Sequence, residues 1–143
     1  MSQAEAEFED VSLRTRDEYL RFLDRIRTST NEIEFVLHRT VGNESLPEQV
    51  ADYVIERREG VGQRPGYMRP ARQSTLLRCR YHRDVFTALR GYDGFFRTIP
   101  DPPWERTDFS DFGDVDIVIR DKTGAIIFWT VTHEGMAKVR KGF

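Results

Sequence analysis

The sequence predicts an α+β domain, with three or four helices on one face of a small, mainly antiparallel sheet of about four strands, and a β-hairpin at the C-terminal end. Three segments carry this reading. In TRDEYLRFLDRIRTS, Thr15 and Glu18 have the spacing of a capping box, and Tyr19, Leu20, Phe22, Leu23 and Ile26 share one apolar helical face. In EIEFVLHRT, Ile33, Phe35 and Leu37 alternate with Glu34, Val36 and His38, the pattern of a half-buried strand. GDVDIVIRDKTGAIIFWTVTHEG, residues 113–135, reads as a hairpin. Asp121 suits the first position of its turn and Gly124 the left-handed fourth.

The remaining elements follow in order. Residues 1–12 are acidic and expected to fray, leaving 13–143 as a single globular domain. SLPE opens a second helix at Ser45, with Val50, Tyr53 and Val54 inward and Gly60 as its end. GVGQRPGYMRPARQ, residues 60–73, breaks every period and is expected to be a mobile loop or arm. STLLRCRY suits a strand and HRDVFTALRGY a short helix burying Val85, Phe86 and Leu89. Residues 93–113 hold Pro100, Pro102 and Pro103 and are expected to be irregular, whereas EGMAKVRK suits a C-terminal helical turn.

The turn sets the hairpin register. Pairing Asp121 with Ala125 brings Ile119 opposite Ile127, Ile117 opposite Trp129 and Val115 opposite Val131, so these six side chains share the core face. Asp114 and Asp116 then lie on the other face beside Thr130 and Thr132, with Glu134 beyond and His133 on the opposite side.

At 143 residues the chain is one domain, and 38% hydrophobic content with ten Phe, five Tyr and two Trp supplies its core. No apolar run has the length of a membrane span, and the acidic N-terminus lacks the form of a signal peptide, so a cytoplasmic location is the expectation. One cysteine, Cys79, leaves neither an internal disulfide nor a multi-cysteine zinc site. The net charge of −2 conceals segregation along the chain. Residues 1–56 carry thirteen acids against six bases, whereas residues 57–97 carry ten arginines against three acids.

Four constellations bear on function. Asp114, Asp116 and Glu134 could bind a hard cation and serve phosphodiester hydrolysis. The second strand, FWTVT, lacks the acid and lysine that complete such hairpins in metal-dependent nucleases. Asp114 and Asp116 could equally cap and solvate a strand end. Arg64, Arg69 and Arg72, with tyrosines nearby, could hold nucleic acid, although the pI of 5.9 argues against a polyanion partner. Cys79 and His82 could form a nucleophile and base, but strand alternation points them apart. Trp104, Phe109 and Phe112, with Asp108 and Asp111, could anchor a protein partner. No catalytic residue and no cofactor is assigned. The leading expectation is a non-enzymatic protein-binding module, such as an inhibitor or antidote that caps a basic partner with the acids of 101–116. The alternatives are the metal-dependent hydrolase and the nucleic-acid binder.

Overall fold

Half of the helix expected from Ser45 to Gly60 is a strand. In the computed structural model, which describes residues 7–39 and 41–143, that helix is a five-residue turn of helix, α2 (Leu46–Val50), continued by a 3-10 turn at Ala51–Tyr53. Its cap is Asn43, whose Oδ1 accepts from the Ser45 and Leu46 N–H groups at 3.1 Å, and the Ser45 side chain makes no cap bond. From Val54 the chain is extended, because Val54 and Ile55 are β-branched and a neighbouring strand is present to pair with them.

The order is β1 (Phe8–Asp10), α1 (Arg16–Arg27), β2 (Glu32–Leu37), α2, β3 (Val54–Val61), β4 (Ala71–Arg80), α3 (Arg83–Arg90), β5 (Arg97–Asp101), β6 (Trp104–Asp108), β7 (Val115–Arg120), β8 (Ile126–Val131) and β9 (Met136–Arg140). Seven strands form one antiparallel sheet in the order β1-β9-β8-β7-β2-β4-β3, and β5 and β6 form a separate hairpin. The α+β expectation of about four strands is therefore corrected to a mostly β protein, with nine strands and three short helices among the described residues. Segments expected to be frayed, irregular or helical became strands because partners distant in sequence supply their hydrogen bonds. Phe8–Asp10 pairs with β9 in the place of the C-terminal helical turn, and residues 97–108 pair with themselves. Residues 1–6 of the acidic N-terminus lie outside the described residues.

The helices cover one face of the sheet. Thr15 and Glu18 form the capping box of α1, and its Tyr19, Phe22, Leu23 and Ile26 are buried. They meet Phe128, Phe95 and the inward residues of β2 and β7, with Phe22 and Phe128 ring centroids 4.6 Å apart. Each such buried side chain contributes roughly 1.5–3 kcal/mol. Cys79 is fully buried in this core, and burial pushes its thiol up to about 11. His82 instead caps α3 and stacks on Tyr53, so the cysteine-histidine pair does not form. Cys79 is expected to resist a disulfide-exchange reagent such as DTNB at pH 8 and to react at once in denaturant. Rapid labelling of the native protein would contradict this packing.

The turn at Asp121–Ala125 forms as expected, with Gly124 at φ +83° and its N–H donating to Asp121 O at 3.0 Å. The register beyond it does not. Arg120 pairs with Ile126 and Ile119 with Phe128, so Ile127 is an extra residue in a bulge. This one-residue slip puts Val118 opposite Trp129 and turns Trp129 and Val131 away from the helices, onto the second face with Val118. The expected pairs Ile119–Ile127, Ile117–Trp129 and Val115–Val131 are thus replaced, because Ile127 and Phe128 both enter the helix-side core.

The second face has its own cover. Of residues 60–73, expected as a mobile arm, 60–61 and 71–73 belong to β3 and β4, and 62–70 fold back onto this face: Gly66, at φ +81°, leaves no space for a Cβ, which would lie 2.5 Å from Val131 Cγ2 and 2.6 Å from Trp129 Cζ3. Gly66→Ala is expected to destabilise the protein by about 1–3 kcal/mol through backbone strain and overpacking. Urea unfolding followed by tryptophan fluorescence checks this, and an unchanged midpoint would mean that the loop is not seated on Trp129.

Candidate functional site

The site lies where β4, β2 and β7 run side by side. β2 pairs with both neighbours, Leu37 with Thr75 on one side and with Val115 on the other. One residue further, His38 comes between Ser74 and Asp114, and its backbone N–H donates to Asp114 O at 3.1 Å. Alternation along β7 then places Asp116 on the same face as Asp114. His38 Nδ1 lies 2.7 Å from Ser74 Oγ, and His38 Nε2 lies 2.6 Å from Asp116 Oδ2.

Asp116 is 1% exposed and saturated with donors. Its Oδ2 accepts from the Tyr67 hydroxyl and lies 3.4 Å from Arg64 Nη2, while its Oδ1 accepts from the Thr132 backbone N–H at 2.8 Å. The hairpin opens to admit this carboxylate. Here side chains replace strand pairing: Ile117 N–H donates to Thr130 Oγ1 at 3.0 Å, and Thr132 Oγ1 donates to Val115 O at 2.7 Å. Burial alone would raise the Asp116 pKa, but the bonds from His38, Thr132 and Tyr67 outweigh it and hold the carboxyl below its ordinary value. Burial followed by the Asp116 charge pushes the Tyr67 hydroxyl upward, so it remains a donor.

Asp114 differs. It is 7% exposed, burial holds its carboxyl above the ordinary value despite His38 nearby, and its Oδ1 has no hydrogen-bond partner among the described residues. Ligand atoms of His38, Asp114 and Asp116 all lie within 4.8 Å of one another. They sit at a cleft of about 770 Å³ whose walls also include Arg39, Arg64, Tyr67, Arg69, Phe109 and His133. Arg64 is inserted beneath this surface, its side chain 6% exposed, its guanidinium carbon 3.8 Å from the Tyr67 ring centroid, and its Nε and Nη1 without a hydrogen-bond partner among the described residues.

The residues singled out by sequence have separate fates. Asp114 and Asp116 converge; Glu134 is exposed, 3.8 Å from His133, and is not in the cluster. His133 lines the same cleft as Asp114, contrary to the expected opposite faces, because the chain leaves β8 at Val131 and His133 lies in a 3-10 turn, Thr132–Glu134, where strand alternation no longer holds. Arg64 and Arg69 reach the cleft, and Arg72 is exposed outside it. Of the expected partner-binding set, Trp104 is 71% exposed. Asp108 accepts from Phe109 N–H and Asp111 from Asp93 N–H, Phe109 faces the cleft, and Phe112 is fully buried against Tyr92 and Phe95. These five do not form one surface.

Ser74 carried no signal that sequence reasoning could use, Tyr67 showed only as one of the tyrosines near the arginines of the basic segment, and His38 showed only its place on the polar side of an alternating strand. Among the described residues no helix is long and apolar enough to cross a membrane. The chain matches no protein-family profile, no curated protein and no solved structure.

Proposed function

We propose that the protein is a metal-dependent hydrolase whose divalent cation is held by His38, Asp114 and Asp116. The observation that carries this reading is Asp114 Oδ1, a buried carboxylate oxygen without a hydrogen-bond partner among the described residues, beside an imidazole and a second carboxylate. Leaving such an oxygen unpaired costs about 1–3 kcal/mol or more, which a ligand would recover. In the ion-free protein His38 Nε2–H donates to Asp116 Oδ2 at 2.6 Å, and a cation would replace that proton and move the two atoms apart. With a metal on Nε2, Nδ1–H donates to Ser74 Oγ, the outer bond that orients most metal-binding histidines. Two carboxylates and one imidazole suit manganese or zinc better than magnesium, which prefers oxygen alone. A cation held by these residues would supply an activated water for hydrolysis by lowering its pKa, and His133, which lines the same cleft, would exchange its proton.

Calorimetric titration with Mn²⁺ and Zn²⁺ tests this, with binding of one ion per chain expected. No heat with either ion would remove the reading. Ser74→Ala is expected to weaken binding by about 10–100-fold. If instead Ser74 is labelled by a fluorophosphonate and neither ion binds, then Ser74, His38 and Asp116 form a nucleophilic relay. Against that relay, Ser74 lies inside β4, in the irregularity between its paired residues Ala71 and Thr75, and not on the sharp strand-to-helix turn that exposes a nucleophile and frees N–H groups for an oxyanion.

A protein-binding role is the second reading, favoured by Trp104 at 71% exposure on the β5–β6 hairpin. Trp104→Ala would then abolish capture of the partner without lowering Tm.

A further inference from the structure

Opposite-signed atoms are left unpaired in the same region. Among the described residues Asp114 Oδ1 lacks a donor, and Arg64 Nε and Nη1 lack acceptors, although both side chains are more than nine-tenths buried. They do not pair with each other, so no single simple ion satisfies both. A cation satisfies Asp114 and does nothing for Arg64, and a free anion does the reverse. A cation carrying a phosphoryl group satisfies both, with metal toward the carboxylates and phosphoryl oxygens toward the guanidinium.

The rest of the cleft agrees. Arg39 and Arg69 line it and form no ion pair among the described residues, whereas several arginines of the basic segment are neutralised by neighbours. Arg57 pairs with Glu59, Arg58 with Glu56, Arg78 with Glu32 and Glu56, and Arg90 with Asp24. Arg72, Arg80 and Arg97 are likewise without an ion pair among the described residues but do not line the cleft, where Arg39, Arg64 and Arg69 stand together. Guanidinium groups match phosphoryl geometry through paired N–H donors. Tyr67 and Phe109 supply apolar wall for an organic group, and a cleft of about 770 Å³ has the size of a small-molecule site.

We infer that the substrate of this centre is a small phosphate monoester, its phosphoryl group bridging the cation at Asp114 and the guanidinium groups of Arg64 and Arg69. This rests on the metal-dependent reading above and adds the ligand class. Binding of cation and ester is then reciprocal: each raises the affinity for the other by the same factor.

The experiment titrates the full chain with Mn²⁺, with and without saturating phenyl phosphate. A rise in Mn²⁺ affinity of at least tenfold is expected, matched by an equal rise for phenyl phosphate when Mn²⁺ is present. In Arg69→Gln, an exposed position where folding is not at risk, the coupling factor is expected to fall toward one. Mn²⁺ binding that phenyl phosphate leaves unchanged overturns this inference and leaves the metal reading standing. Absence of Mn²⁺ binding overturns the metal reading itself. If a single-stranded oligonucleotide couples more strongly than phenyl phosphate, the monoester assignment is wrong.

Discussion

Asp116→Ala is expected to destabilise the protein by about 3–5 kcal/mol, the cost of leaving a buried charge network without its counter-ion. The substitution strands four donors at once: His38 Nε2, the Tyr67 hydroxyl, Arg64 Nη2 and the Thr132 backbone N–H. Because a domain of this size is stable by only about 5–15 kcal/mol, the variant should unfold at much lower urea concentration. Asp116→Asn keeps an acceptor for Thr132 and should lose less. The pH dependence follows from the direction of the shift. Burial alone would raise the Asp116 pKa, but its hydrogen bonds hold it below 3.8, so its contribution is complete above 3.8 and disappears as pH falls through the folded-state value. The stability gap between wild type and Asp116→Ala should therefore narrow in strong acid. A gap that stayed constant from pH 7 to pH 2, measured by urea midpoints, would show that Asp116 does not act through its charge.

Asp114→Asn should separate stability from binding. Burial raises the Asp114 carboxyl above 3.8, so ionising it opposes folding, and stability is lost as pH rises from 3.8 through the folded-state value. The sign is opposite to that of Asp116 on the same strand. At pH 7 the ion-free Asp114→Asn variant is expected to be as stable as wild type or more stable. Its affinity for Mn²⁺ is expected to fall by about 100-fold or more, beyond the roughly 10–100-fold loss typical of an outer partner. A site that keeps a destabilising acid for the sake of a ligand follows the usual trade between stability and function. Destabilisation on this substitution, with Mn²⁺ affinity unchanged, would show that Asp114 serves the fold alone.

Local structure was legible wherever short-range chemistry decides it. The capping box of α1 needs only Thr15 and Glu18 three residues apart, and the hairpin turn needs only Asp121 and Gly124. The second helix misled because Val50, Tyr53 and Val54 have helical spacing, yet the same three positions are met by a single helical turn entering a strand. Residues 97–108, rich in proline, formed a hairpin because the strands are short and exposed, where missing N–H donors are tolerated.

By itself, the sequence determined which residues could carry chemistry and where turns and caps fall: Asp114 and Asp116 on one face of a strand, and His38 at the polar end of another. Only the tertiary structure decided that they meet. His38 reaches Ser74 across 36 residues and Asp116 across 78, contacts set by the position of β2 between β4 and β7. The bulge at Ile127 then decided which side chains of β8 share that face. Side-chain direction in a strand has a period of two, so one extra residue reverses every face beyond it, and no local preference distinguishes Ile127 from Phe128 as the residue to accommodate. The helix-side core made that choice by taking both of them, leaving Trp129 and Val131 as the floor on which the Arg64 loop closes the cleft.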